Sequence, residues 1–461
     1  MKYDPVSVGF QTDNEQLLRL YGAAERKLKN NIKDFAGRRV LIEGGGYHKI
    51  WLETQPMGGE MYAKRDMEAA LNNQLLFMEH QRADGRLPGS ITAENGILVP
   101  QFNKVQGFCF PAPALNMYYW MGKDSEYLRF LYDVLERFDA WLWRERDSNG
   151  DGCLESWCVY DTGEDNAKRY GDAPRWWEKP EPPQGYAVVP IQSMDFMSYS
   201  YSARETLARI SAVLRNEKKE WWQRRAKQVS DKILSYLWSG ERGACFDRDR
   251  YGKRMDTLLH NNLRCMYWGS FSQDMADRFV REHLLNPGEF WTPFPLPSVA
   301  VSDPLYFGDS DNNWSGQPQG LTWQRAIRAL ENYGYQPLVT KLGFKLFQAL
   351  QDDCIFPQQF DPWTGKRQGN VDGYGPVMLA VLEYVSRMYG VHMEGETLWW
   401  SAVGGTQSEY TQQWGGNIYT MQCDGERAQA RINGKSVWSG GVGRRVITDL
   451  RGEIIGFVAI L

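Results

Sequence analysis

Apolar side chains recur every three or four residues in one segment after another of this chain, and the period disappears after about Glu394. A stripe at that spacing lies along one face of an α-helix and has to be buried against a neighbour. Leu17, Leu18, Leu20, Ala23, Ala24, Leu28 and Ile32 form the first stripe, behind an Asp13 or Asn14 cap. Comparable segments cover 60–82, 113–121, 125–146, 194–214, 218–238, 273–285, 318–333, 336–351 and 375–389. Several are only a few residues apart, as in helical hairpins, and no series of short apolar strands lies between them. So many hairpins predict a mainly α fold, a closed toroid over residues 1–393 rather than a simple bundle. The loops at one end of such a ring meet over a cleft, and the long irregular stretches 38–59, 147–193, 286–317 and 354–374 are predicted to form it.

Residues 394–461 read differently. Ile418 to Met421, Ala428 to Ile432, Val446-Ile447 and Ile454 to Ile460 have strand character. The turns between them carry Asp424-Gly425, Asn433-Gly434 and Arg451-Gly452, and Asn-Gly and Asp-Gly accept the positive φ of tight hairpins. A small C-terminal antiparallel β domain is expected, supporting the toroid.

A net charge of −4 with both signs interspersed offers no cationic field for nucleic acid or an anionic membrane. No stretch has the apolar length of a membrane span, and the first residues lack the apolar core of a signal peptide. Seven cysteines, an odd number without paired CxxC spacing, read as reduced thiols, so a cytoplasmic protein is expected. The chain is rich in rings, with 19 Trp, 24 Tyr and 20 Phe, which serve equally as core and as platforms for sugars.

Three stretches carry candidate chemistry. In Gly163-Glu164-Asp165-Asn166 a carboxylate sits in a turn-prone segment ahead of Trp176 and Trp177. Rings around a carboxyl raise its pKa, which a proton donor to a glycosidic oxygen requires, while a plain surface Asx turn is the alternative. The loop from Glu43 through Gly44-Gly45-Gly46-Tyr47-His48 to Trp51-Leu52-Glu53 sets an aromatic floor next to a carboxylate grip for hydroxyls. It lacks the Gly-Lys-Ser/Thr of a phosphate loop. Asp147, Asn149 and Asp151 occupy positions one, three and five of a calcium-loop start, but position twelve is Cys158, so a structural calcium competes with a simple turn. No cofactor is required by any of these.

The same stretches resemble the (α/α)6 glycoside hydrolases. Gly44 to Leu87, Asp147 to Tyr170 and Asp311 to Gly375 occur in the order seen in the mannosylglycerate and glucosylglycerate hydrolases of family 63, with trehalases of family 37 more distant. Trp51-Leu52-Glu53 is similar to their aromatic-Trp-Asp sugar grip. Gly163 to Tyr170 resembles their Gly-x-Asp-Asn-Ser-Pro-Arg-Trp motif, which implies Asp165 as general acid. Trp314-Ser315-Gly316-Gln317-Pro318 keeps part of a Trp-Arg-Gly-Pro-x-Trp motif without its Arg. Phe356 to Gly365 resembles the base motif Phe-Tyr-Glu-Asn-Tyr-Asp-Pro-x-Thr-Gly, with Gln358 where the base Glu belongs. The resemblance implies an inverting hydrolase of a small α-glycoside, of α-glucoside or α-mannoside type. Tyr47, Trp51, Glu53, Arg169, Trp314 and Trp323 are expected at the sugar, with Arg169 also anchoring the acid loop.

A neutral amide cannot deprotonate water. Gln358 therefore implies an isosteric replacement that traps a ligand, a different base such as Asp361, Asp372 or Glu43, or a sugar-binding protein without turnover. The well-kept motif around it favours the first. A sugar epimerase or lyase on the same scaffold would rely on His or Tyr bases, and of the histidines at 48, 80, 260, 283 and 392 only His48 falls in an expected cleft loop.

Overall fold

A computed structural model describes residues 4–308 and 312–461, so Asp311, the first residue of the third resembling stretch, lies outside the described residues. Its helices are α1 (Glu15–Lys29), α2 (Gln55–Tyr62), α3 (Met67–Glu79), α4 (Pro111–Trp120), α5 (Ser125–Glu145), α6 (Met194–Leu214), α7 (Lys219–Lys232), α8 (Asn261–Trp268), α9 (Gln273–Phe279), α10 (Gly320–Glu331), α11 (Gln336–Leu350) and α12 (Gly375–Tyr389). Helices α7 and α9 continue into π-helical turns at Ile233–Leu237 and Val280–Leu284.

The starts of several helices follow from side chains that satisfy free backbone N–H groups. Asn14, Asp66, Asp124, Ser193 and Ser272 each accept from a backbone N–H of the first turn. The cap at Asp66 also explains why the stripe over 60–82 is two helices: the chain turns at residues 63–66 and restarts. Helix α8 was not expected from the sequence, because every one of its residues is buried and it has no polar face to set a period.

Burial alternates along the chain. All residues of α2, α8 and α12 are buried and most of α4, α6 and α10, whereas α7 buries only Trp222, Ala226 and Val229. The buried helices touch in the order α2, α4, α6, α8, α10, α12, and α12 touches α2 again. Short ribbons line the loops: Ile32–Phe35 pairs with Arg38–Leu41, and Ile50–Trp51 joins the hairpin of Ser90–Glu94 and Ile97–Gln101.

The strands form two antiparallel sheets. With β1 at Ser7–Thr12, β2 Val391–Glu394, β3 Thr397–Ala402, β4 Gln407–Trp414, β5 Asn417–Asp424, β6 Arg427–Ile432, β7 Lys435–Gly441, β8 Arg444–Asp449 and β9 Ile454–Ala459, the orders are β1-β4-β5-β6-β7 and β2-β3-β8-β9. The Asn433-Gly434 turn has both φ values positive, as the sequence predicted. A cut at residue 394 needs correcting at both ends. Strand β2 already starts at Val391, and the N-terminal β1 belongs to the C-terminal sheet, with Phe10 opposite Tyr410. Phe10 is buried against Tyr21 of α1 and Tyr389 of α12, so one apolar side chain ties the first strand to both layers. The sheets are held to the helices by the buried Arg445–Glu331 pair at 2.7 Å and by Trp414, whose Nε1 donates to the Trp120 carbonyl at 2.9 Å.

Candidate active site

One cavity of about 220 Å³ is lined by Glu43, Tyr47, Trp51, Glu53, Lys104, Gln106, Tyr160, Gly163, Asp165, Trp314, Gln358 and Tyr374. The four long stretches expected to form a cleft all contribute to it. The loop after the Ile97–Gln101 strand, which supplies Lys104 and Gln106, is the contributor that sequence reasoning missed. Its only signal is a lysine and an amide inside a segment of aromatic, Gly and Pro residues.

Asp165 reaches the cavity because its neighbours point the other way. Glu164 is fully buried and bonded to Arg169 at 2.5 Å, to Asn261 at 3.0 Å and to the Thr162 hydroxyl at 2.8 Å. Burial alone would raise the Glu164 carboxyl, yet Arg169, His260 and Arg264 hold it well below the usual carboxylate range. This ionic root fixes the loop. Gly163 has φ +71°, and a Cβ there would lie 2.0 Å from a Glu53 carboxylate oxygen, so glycine is what lets the acid loop close on Glu53. On its far side the loop is zipped to residues 312–315, with Trp314 N donating to the Asp165 carbonyl at 3.1 Å and Lys168 N to the Ser315 hydroxyl at 2.7 Å.

The Asp165 carboxyl accepts from Asn312 Nδ2 at 2.8 Å through Oδ2. Burial raises its pKa to about 6, against the pull of the Asn312 hydrogen bond and the Lys104 charge. A carboxyl so placed holds its proton up to about pH 6 and still has Oδ1 to present it. The rings around it are Trp51, Tyr160 and Trp314. Trp176 and Trp177 are not among the residues that line the cavity: Trp176 is 52% exposed, its ring centre 6.5 Å from that of Tyr160, and Trp177 donates to the Glu181 carbonyl.

Glu53 is gripped by Arg325 of α10 at 2.9 Å and by Gln106 at 3.3 Å. Burial lifts it to about 7, although Arg325 and Arg264 pull the other way. Opposite, Tyr47 Oη donates to Gln358 Oε1 at 2.8 Å and lies 3.4 Å from Asn312 Nδ2. Tyr47 and Asn312 thus bridge Asp165 to Gln358, and the two groups stand no further apart than three hydrogen bonds laid end to end. Beside Tyr47, at 6.3 Å between rings, Tyr374 donates to Glu43 Oε1 at 2.9 Å. Glu43 is buried, and burial together with the Glu53 charge pushes its carboxyl well above the ordinary value.

Residues 53–375 match the family model described as the mannosylglycerate hydrolase MGH1-like glycoside hydrolase domain. The chain belongs to this glycoside hydrolase family. Among solved structures, the family 63 mannosylglycerate hydrolase from Thermus thermophilus, in complex with glucose, superposes with a TM-score of 0.64 at 17% identity. The match covers 79% of this chain and 99% of that one. Neutral trehalase Nth1 from Saccharomyces cerevisiae gives 0.56 at 14% identity, over 76% and 74% of the two chains. A family 78 rhamnosidase of Bacillus sp. GL1 gives 0.62 at 11% identity, over 93% of this chain and 42% of that one. At these identities the likeness is one of fold.

For this MGH1-like chain, not every expected site residue reaches the cavity. Arg169 is not at the cavity wall; it is buried behind the acid loop, paired with Glu164 and Asp247. Trp323 is fully buried in the core, its ring stacked 4.5 Å from Phe294, because it points away from the cavity side of α10. Of the three carboxylates offered as replacement bases, Glu43 alone lines the cavity. Asp361 caps its own turn through Trp363 N and Thr364 N, and Asp372 pairs with Lys27 at 2.6 Å.

The oxygens of Asp147, Asn149 and Asp151 are spent on backbone N–H groups of Gly152, Asp151 and Cys153, with Gln192 also on Asp151. Among the described residues no group of three or more His, Cys, Asp or Glu side chains is placed to hold a metal ion. All seven cysteines are free and buried. No helix among the described residues is long and apolar enough to cross a membrane. His48 does not line the cavity; His260 lies just behind it, 3.4 Å from Glu164, and burial lowers it to about 4 despite that carboxylate.

Proposed function

We propose that this chain hydrolyses a small α-glycoside with inversion of configuration, with Asp165 as general acid and position 358 as the base site. The α2, α4, α6, α8, α10, α12 circuit is then the inner wall of an (α/α)6 toroid, with the cavity at one mouth. The observation that carries the reading is the bridge from Asp165 through Asn312 and Tyr47 to Gln358 across a ring-lined cavity of small-saccharide size. An inverting pair needs an acid on one side of the sugar and a water-activating carboxylate on the other. Asp165 supplies the first. A solved relative holding glucose supports a hexose as occupant.

Gln358 can accept a hydrogen bond from the attacking water but cannot take its proton. Glu43, whose partner Tyr374 stands beside Tyr47, is the cavity carboxyl left to receive it, in the ionised form that its raised pKa makes the minor one near neutrality. On attack, the water oxygen bonds to the anomeric carbon, its proton passes to Glu43, and the Asp165 proton goes to the departing oxygen. The second reading, a sugar-binding protein without turnover, is favoured by the same Gln358.

The test is NMR of the first-formed anomer with α-glucosides and α-mannosides, using the chain as it stands, Gln358→Glu and Asp165→Asn. Release of the β-anomer, abolished in Asp165→Asn, is expected. Binding of sugars without release, both by the chain as it stands and by Gln358→Glu, would leave the binding protein as the function. The protein is expected to act in the cytoplasm, on a small oligosaccharide or glycoside.

A further inference from the structure

We infer that the sugar ring accepted by this cavity itself carries a carboxylate, which Lys104 binds; this rests on the cavity being a sugar site. Lys104 is 8% exposed and lines the cavity, yet its ammonium makes no hydrogen bond or ion pair with any described residue. It stands 5.2 Å from the centre of the Trp51 ring and 5.5 Å from that of Tyr160. Ring faces offset part of the cost of burying a cation but offer it no acceptor. A buried ammonium with three unused donors facing a cavity is matched by an anionic acceptor brought in by the ligand.

The surroundings point the same way. Lys49 places a second ammonium 5.5 Å from the centre of the same Trp51 ring, held there by Gln101 Oε1 at 2.8 Å, so two cations flank one ring of the site. Burial lowers the Lys104 pKa and the Lys49 charge lowers it further, with Asp165 and Glu53 offsetting only part, an arrangement that an incoming anion relieves. Among the cavity carboxyls, Glu53 already has Arg325, Asp165 has Asn312 and Glu43 has Tyr374. Gln358, neutral where the relatives' motif has a carboxylate, removes a charge that would repel an anionic substrate. Because Lys104 stands over Trp51, the ring read as the floor for the sugar, the carboxylate is assigned to the ring in the pocket, a uronate, rather than to the leaving group.

Calorimetric titration of the chain with D-glucuronate, D-glucose and D-glycerate at equal ionic strength tests this. Glucuronate is expected to bind about tenfold more tightly than glucose, the size of one charge-assisted contact. The ratio should fall towards one in Lys104→Met and persist in Lys104→Arg, and it should shrink with added salt. Equal binding of the two sugars overturns the inference and leaves the sugar cavity standing. Lys104-dependent binding of glycerate, with no preference for the uronate, also overturns it by moving the anion to the leaving group. Binding of neither sugar removes the sugar-site reading and this inference with it.

Discussion

The phenol of Tyr47 donates to the amide oxygen of Gln358 at 2.8 Å, and it is the one hydrogen bond that the Gln358 side chain makes among the described residues. A carboxylate at position 358 would accept the same bond. The contact therefore tolerates the exchange of charge for amide, and the chemistry of the site turns on whether another group takes over the missing proton acceptor.

Exchanging that proton acceptor gives the first prediction. If Glu43 receives the proton, Glu43→Gln should reduce kcat by about 10²–10⁴-fold in the chain as it stands. In the Gln358→Glu background the same substitution should cost much less, because the restored carboxylate acts instead. Steady-state turnover of the two single variants and the double variant measures the coupling, and equal losses in both backgrounds would falsify the assignment of Glu43.

Asp165→Asn should lower kcat by about 10²–10⁴-fold while circular dichroism stays unchanged. The buried carboxyl has a folded pKa near 6 against an ordinary 3.8, so folding favours its protonated form, and that stabilisation is lost as pH rises through about 6. The asparagine variant has no such loss. Its melting temperature relative to the unmodified chain should rise between pH 5 and pH 8, and a flat difference over that interval would contradict a raised pKa.

The pH profile follows from the same group. An acid must hold its proton to donate it, so in Gln358→Glu, where the raised Glu43 carboxyl is not needed as base, kcat/KM should fall above about pH 6, approaching tenfold per pH unit. A profile with its basic limb above pH 8 would exclude Asp165 as the donor.

Arg169 makes a prediction about stability rather than binding. Replacing it with Met leaves Glu164 and Asp247 buried without their shared cation, which costs about 3–5 kcal/mol. Denaturant unfolding should show that loss, and a variant of unchanged stability with a raised KM would return Arg169 to the sugar.

Trp51 and Trp323 should separate cleanly. Trp323→Ala opens the core between Phe294 and α12 and should destabilise by about 3–5 kcal/mol. Trp51→Ala removes a cavity wall and should weaken sugar binding with a smaller effect on unfolding. Chelation by EDTA should leave the melting temperature where it was, since the oxygens of Asp147, Asn149 and Asp151 already serve their own turn.

Asp165 and Gln358 were legible in the sequence because each sits in a compact local motif, where residue order alone carries the signal. Trp323 and Arg169 were misplaced for the opposite reason. A tryptophan on a buried helix and an arginine next to an acid read identically whether they face the cavity or the core, and only the facing direction of α10 and the Glu164–Asp247 pocket decides. Lys104 had no motif at all, and its position over Trp51 comes from a strand pairing between Ile50–Trp51 and the Ser90–Gln101 hairpin.

By itself the sequence determined the succession of helices apart from α8, the change to strands near residue 394 and the loops that hold Asp165 and Gln358, since periodicity, caps and turns are short-range properties. Tertiary structure alone decided that β1 completes the C-terminal sheet, that Glu43 rather than Asp361 or Asp372 enters the cavity, and that Lys104 is buried without a hydrogen-bond or ion-pair partner among the described residues. Those outcomes depend on contacts between residues far apart in the chain, where burial and charge are set by the neighbours that folding brings together.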